Sequence, residues 1–283
     1  MVRHLIVFLL TILVLPVAVA QGAGRSDGST PAPTAVARLV THVPARTLNA
    51  VGAGSVLPNR GFGVFKLGSR LVRDGKPEVL SLSLAWCPHC AANSWALAVA
   101  LSRFGKLRRL RVLNTGTYYC KLVSDPCSLK PYPCYPFTHG LSFFHTSFHS
   151  PYLRLREVVM QTVTGRNLQA PSPADVLAVN PFDPGANQAP ALDIGGGYGF
   201  LSAGFDPGVL AHKSWSKIAG SLADSHNPVA RHVDGLANLF TAAMCGATDG
   251  RPVAVCRSKG VRAVDSRLRK ASKLPPPPPV GAT

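Results

Sequence analysis

Apolar and polar positions alternate along the chain in patterns that predict a small set of elements around one central pair. Residues 79–86 form a short apolar run bounded by Gly75-Lys76-Pro77, the pattern of a buried strand. From Pro88 to Phe104 no glycine occurs and proline stands only at the start, where its missing N–H costs nothing, and Gly105 then stops the helix. Within it Trp95, Leu97, Ala98, Val99, Ala100, Leu101 and Phe104 leave hardly any polar face, as in a helix covered on several sides. Basic residues surround Leu107 and Leu110, and Val112-Leu113-Asn114-Thr115 reads as the next parallel strand, completing a βαβ unit. In 152–160, Leu153 and Leu155 alternate with Arg154 and Arg156, the period of a half-buried strand, expected to add antiparallel. The stretch 63–67 is a weaker strand because of its flanking glycines.

Further on, Ser172-Pro173-Ala174-Asp175 opens a short helix that Asn180-Pro181 closes. A strand follows Pro190. The run Gly195-Gly196-Gly197-Tyr198-Gly199 lacks the lysine and hydroxyl of a phosphate loop and opens no helix, so it predicts a hairpin turn. Residues 209–223 place Trp215, Ile218, Ala219 and Leu222 on one helical face, and 228–244 do the same with Val229, Val233, Leu236, Phe240 and Ala243.

The ends of the chain change this picture. Residues 1–20 carry a single early arginine, Arg3, an apolar run over 5–17 and then Ala18-Val19-Ala20, the pattern of a signal peptide cleaved before Gln21 or, left uncleaved, of a membrane anchor. Either reading places the protein outside the cytoplasm, secreted or membrane-associated. No cysteine closely follows the run, which argues against a lipoprotein, and one arginine is not a twin-arginine signal. Residues 21–50, rich in Gly, Ser, Pro, Ala and Thr, read as a flexible linker, so that folding is expected to begin at 51. With 283 residues, 46% of them hydrophobic, the chain can bury one good-sized core, expected over 51–256. Residues 257–283 read as a basic disordered tail with a polyproline stretch at 275–279.

The candidate chemistry lies at the predicted strand-to-helix junction, Trp86-Cys87-Pro88-His89-Cys90. At a helix N-terminus, unpaired N–H groups and the helix dipole favour a thiolate at Cys87, and a protonated His89 adds to that. Cys90, one turn in, is the shielded partner. Half a zinc site is the first bland alternative, but the second pair of ligands at knuckle spacing is missing. An inert structural disulfide is the second, and the activating position argues against it. Cys245 and Cys256 close a small loop, most simply as a structural disulfide. Residues 116–151 hold Cys120, Cys127 and Cys134 with His139, His145 and His149. Metal ligation fits that composition, yet a disulfide is the commoner use of cysteine in an exported loop, and three cysteines leave one outside any pair among themselves.

These residues carry a resemblance. Trp-Cys-x-x-Cys between a strand and a helix resembles the thioredoxin superfamily, and Cys87-Pro88-His89-Cys90 is the dipeptide version of DsbA-like thiol oxidases. The stretch 187–196 resembles the loop in which that superfamily places a cis-proline beside the dithiol, with Pro190 in that place. The span from about Gly75 to Cys256 is similar to a prokaryotic thioredoxin-like family known as domain of unknown function 929, through Cys-Pro-His-Cys-Ala-Ala, Ser150-Pro151-Tyr152, the Pro190 loop and the helix ending at Cys245. The resemblance implies an α/β thioredoxin-like fold: a central mixed sheet flanked by helices, with an insertion between the first βαβ unit and the cis-proline strand. It also implies Cys87, Cys90, His89 and Pro88 as the catalytic group, with Trp86, Ala189 and Pro190 meeting the client. One departure stands out, since thioredoxin-like reductases usually carry a buried acid six residues before the first cysteine, where this chain has Ser81.

The expected function is therefore an exported thiol–disulfide oxidoreductase that oxidises client protein thiols and is recycled by a membrane redox partner, chemistry that needs neither cofactor nor metal. A disulfide reductase or isomerase, or a non-enzymatic surface protein on the same scaffold, are the alternatives. The formal charge of +17 has no nucleic-acid-binding motif to accompany it, so contact of the basic tail with anionic lipid or wall polymer is the expectation, not DNA or RNA.

Overall fold

A computed structural model describes residues 26–56, 62–123, 133–270 and 272–273. Along them run β1 (Thr30–Pro31), α1 (Thr34–Thr41), α2 (Ala45–Val51), β2 (Gly63–Lys66), β3 (Val72–Arg73), β4 (Lys76–Leu84), α3 (Pro88–Ser102), β5 (Lys106–Arg108), β6 (Arg111–Thr115), α4 (Thr117–Val123), β7 (Thr138–Ser142), β8 (Ser147–His149), β9 (Arg154–Gln161), α5 (Pro173–Val179), β10 (Ala191–Ile194), β11 (Tyr198–Leu201), α6 (Trp215–Ser221), α7 (Pro228–Ala247), α8 (Val253–Cys256), α9 (Lys259–Arg262), α10 (Asp265–Arg269) and β12 (Ser272–Lys273). The architecture is mixed α/β. Its main sheet has the order β12-β2-β11-β10-β4, with β9 also paired to β4.

β4 is the spine of that sheet. It pairs parallel with β9 from Glu78↔Arg154 to Leu84↔Gln161 and antiparallel with β10 from Val79↔Ile194 to Leu82↔Ala191. Two strand expectations need correction. β6 is not the parallel partner, because it pairs antiparallel with both β7 and β1 in a separate three-stranded sheet. β9, expected antiparallel, is the parallel partner. Alternation reports which face of a strand is buried and is blind to direction. Arg111 and the exposed Asn114 suit β6 to a smaller outer sheet, whereas the buried pair Val158 and Val159 suits β9 to the centre. The insertion, residues 106–149, thus lies inside the β4–α3–β9 crossover and not after it.

α3 is enclosed nearly all round, every residue from Cys90 to Leu101 being buried. It packs between α7 and β7, and Trp95 Nε1 donates to His139 O at 2.9 Å. From α7 the side chains of Val229, Val233, Leu236, Phe240 and Ala243 join the same core, Phe240 edge-on to Phe200 of β11. The β10–β11 hairpin turns through the glycines as expected. Gly196 has φ +70°, and a Cβ there would lie 2.5 Å from Leu71 N, so this position admits only glycine.

The linker expected over 21–50 is corrected for its described part. Val36, Val40 and Leu48 of α1 and α2 are buried in the main core, and Ala32 N donates to Leu110 O at 2.9 Å. The prolines that made this stretch look like a spacer are helix N-caps, Pro33 for α1 and Pro44 for α2. The expected tail is corrected likewise, because Val261, Val264 and Leu268 are buried and Arg267 Nη1 donates to Val56 O at 2.9 Å. The helix expected over 209–223 begins only at Trp215, where Ser214 caps it by accepting from Lys217 N. Residues 1–25, Cys127 and the polyproline stretch, on which other expectations rest, lie outside the described residues. Among the described residues no helix is long and apolar enough to cross a membrane.

Candidate active site

The end of β4 hands the chain to α3 through a tight connection in which Cys87 N donates to Leu84 O at 3.1 Å. Cys87 is the N-cap of α3, in an extended conformation, and Pro88 fills the first helical position where no N–H is needed. Cys87 Sγ takes the place that a serine or aspartate oxygen takes at other helix starts, accepting from Cys90 N at 3.4 Å. Cys90 Sγ points back at the strand and accepts from Leu84 N at 3.4 Å. Both are free thiols, Cys87 4% and Cys90 8% exposed.

The two sulfurs differ in charge. Burial pushes the Cys87 thiol up, but the Cys90 S–H, the His89 side chain and charge, and the Cys90 N–H all favour the anion and bring it down to about 5. Burial and the neighbouring Cys87 thiolate push Cys90 well above the ordinary thiol range. One sulfur is therefore a thiolate at neutral pH and the other a thiol.

The Ala189–Pro190 peptide is cis, and Cys87 Sγ lies 4.0 Å from Ala189 O. Antiparallel pairing of Ala191 with Leu82 sets this loop across the end of β4. Trp86, half-buried, donates from Nε1 to Gln161 Oε1 at 2.7 Å. All the residues expected at the site, Trp86, Cys87, Pro88, His89, Cys90, Ala189 and Pro190, are thus brought together.

Two features escaped the sequence reading. The first is an aromatic wall: His89 stands edge-on to Tyr119 and Tyr135, each 5.8 Å away, and these rings stack on one another at 6.4 Å. Trp86 stacks on Tyr119 at 6.2 Å and meets Tyr118 edge-on at 5.5 Å. The Cys120–Cys134 disulfide holds the two sides of this wall, and its neighbours Tyr119 and Tyr135 in sequence were the available signal. Burial and Asp206 push the Tyr135 phenol up to about 12, so it stays a neutral ring beside His89. The second is Glu157 on β9. Its Oε1 accepts from Ser83 Oγ, its Oε2 is buried without a partner, and burial raises its carboxyl to about 7.

Away from the dithiol, Cys245 and Cys256 are disulfide-bonded. The loop histidines are scattered in use. His139 contacts Lys213 O and packs on Trp215, His145 lies against Phe144, and His149 sits in β8. Among the described residues no three of His, Cys, Asp and Glu converge as metal ligands do.

Residues 64–176 match a family described as Domain of unknown function (DUF929). The match takes in the dithiol, the insertion and the β4–β9 pair, and ends before the Pro190 loop and α7, a shorter span than the 75–256 of the expected resemblance. No curated protein and no solved structure matches the chain.

Proposed function

We propose that the protein is an extracytoplasmic thiol–disulfide oxidoreductase on a thioredoxin-like fold, oxidising the thiols of client proteins through a Cys87–Cys90 disulfide. The observation that carries this is the division of the pair, an N-cap thiolate at Cys87 and a shielded neutral thiol at Cys90, beside the cis Ala189–Pro190 peptide. A merely structural pair needs no such division. The order of β9, β4, β10 and β11, with α3 after β4 and α7 packed on it, supports the fold. Two disulfides elsewhere in the chain support an oxidising compartment.

In the cycle a client thiolate attacks Cys87 Sγ of the enzyme disulfide, and Cys90 leaves with the electron pair of the S–S bond. The client's second thiolate then attacks its own sulfur in the mixed disulfide and expels the Cys87 thiolate. The client has lost two electrons and the enzyme holds them as a dithiol, which a disulfide-bearing membrane partner reoxidises. Stabilising the Cys87 anion stabilises the reduced enzyme, so the same N-cap that activates the sulfur makes the disulfide oxidising. Trp86 and the Ala189 backbone flank the sulfur that a client must reach. The exposed Arg257, Lys259, Arg262, Arg269 and Lys270 offer contact to anionic lipid or wall polymer.

The test is the reduction potential of the Cys87–Cys90 couple, with Cys87→Ala and Cys90→Ala variants beside it. An oxidase is expected near the DsbA end of the scale, about −120 mV, with exchange abolished in the first variant and mixed disulfides trapped in the second. A potential near that of thioredoxin, about −270 mV, overturns the oxidising direction. Failure to trap any client thiol overturns the redox reading altogether.

A further inference from the structure

Cys90 presents a difficulty that the dithiol itself does not solve. Each time the Cys87–Cys90 disulfide opens, a thiolate forms at Cys90 in surroundings that strongly disfavour a charge, and a proton must reach it. Cys90 faces an inner cavity of about 40 Å³ whose lining includes Ser81, Ser83, Ser142, Pro190 and Glu157. A single water needs about 10–15 Å³, and these hydroxyls supply polar partners, so the cavity can hold water. Glu157 also lines a second space, an open polar cleft, with Arg73, Glu78, His145, Arg156 and Gln169.

The strand register explains the position. Parallel pairing sets Glu157 opposite Ser81, so its carboxyl lies beside the hydroxyls of Ser81 and Ser83. Oε2 is enclosed and makes no close hydrogen bond, with the Ser81 hydroxyl alone near enough to favour its anion, an expensive arrangement for a carboxyl that serves only packing.

Resting on the redox reading above, we infer that Glu157 is the proton exchanger of Cys90, passing a proton between the inner cavity and the open cleft, both of which it lines. As the client opens the disulfide, the S–S electron pair goes to Cys90 Sγ and the proton of the Glu157 carboxyl follows it, through cavity water. The carboxylate regains a proton from the outer cleft. In reoxidation the carboxyl first gives its proton back to the outer cleft, and the carboxylate then takes the Cys90 S–H proton as that sulfur attacks the Cys87 sulfur of the mixed disulfide and expels the acceptor's thiolate with the S–S electron pair. The transfer to Cys90 runs downhill, because the carboxyl titrates at about 7 and the thiol well above the ordinary range. Neighbouring charges bear on it from each packed element: Asp27 ahead of β1, Glu78 on β4, Arg73 on β3, Arg156 on β9, and His145 in the β7–β8 turn.

The experiment is the reduction of the oxidised protein by dithiothreitol as a function of pH, in the wild type, Glu157→Gln and Ser83→Ala. The wild-type profile is expected to show an ionisation near 7, and Glu157→Gln to lose it and react about 100-fold more slowly. Ser83→Ala keeps the acid but removes a bond that favours its anion, so the ionisation moves to higher pH. Alkylation of Cys87 in the reduced variants keeps its wild-type midpoint. A Glu157→Gln profile equal to wild type, or an unmoved ionisation in Ser83→Ala, overturns the role of Glu157 and leaves the redox reading standing. A wild type that never exchanges with dithiothreitol overturns both. Should Glu157→Gln not fold, the carboxyl of Glu157 in the wild type is followed by carbon NMR. A midpoint that differs between the dithiol and disulfide forms supports the coupling, and identical midpoints overturn it.

Discussion

Cys87 does two jobs with one atom, accepting from one of the unpaired N–H groups at the start of α3 and holding a negative charge. Alkylation of the reduced protein by iodoacetamide is therefore expected to be confined to Cys87 at neutral pH, with a midpoint near 5. A thiol lowered by folding contributes stability above its unfolded value and loses it as pH falls through its folded value. The dithiol form should accordingly weaken as pH falls from about 9 towards about 5, with no further loss from this group at lower pH. His89→Ala removes a hydrogen bond and a charge that oppose burial, so the midpoint should rise, and an unchanged midpoint would take His89 out of the account. This much was legible because the strand-to-helix boundary and the helix cap are local, written in a dozen adjacent residues. Glu157 was not. It lies 67 positions beyond Cys90 in the chain and becomes its neighbour only through the register of β9 on β4, which the alternation of Leu153 to Arg156 leaves open.

At the level of elements, the capped helices were the most readable. Ser172 and Asp175 form a full capping box on α5, and Asp175 also takes two 2.6 Å hydrogen bonds from Arg156 of β9. Ser172→Ala should cost about 1 kcal/mol in urea unfolding, and a loss within error would show that the Arg156 pair alone secures the helix. The Cys245–Cys256 disulfide ties the end of α7 to α8. Replacing both cysteines by alanine should lower stability by roughly 3 kcal/mol while the alkylation midpoint of Cys87 stays in place. Free thiols at these positions in peptide maps of the non-reduced protein would contradict the pairing. α1, α2, α9 and α10 were illegible for a shared reason: each has eight residues or fewer, too short for a helical period to stand out, the first two lying in a stretch rich in Pro, Gly, Ser and Thr and the last two among basic residues. Tertiary contact, not propensity, makes them helices.

Across the whole molecule these short helices close the core from both ends of the described chain. Asn238 of α7 donates to Leu48 O at 2.9 Å and Gly52 O at 2.8 Å, and accepts from Arg103 just past α3. Gly260 N, in α9, donates to Asn49 Oδ1 at 2.9 Å. Leu48→Ala should thus destabilise the entire domain, by about 2–5 kcal/mol in thermal or urea unfolding, whereas a flexible segment would tolerate the change. The core that these elements seal is the one on which α3 rests, and it leaves only 4% of Cys87 in contact with solvent. So little exposure, with the Ala189 carbonyl 4.0 Å from Cys87 Sγ, favours a cysteine carried on an extended strand over one set in a rounded surface. On the oxidase reading this fixes an order of events in time. A client would then have to surrender its electrons before its own core closes, so that oxidation would compete with folding and slowly folding clients would be served best.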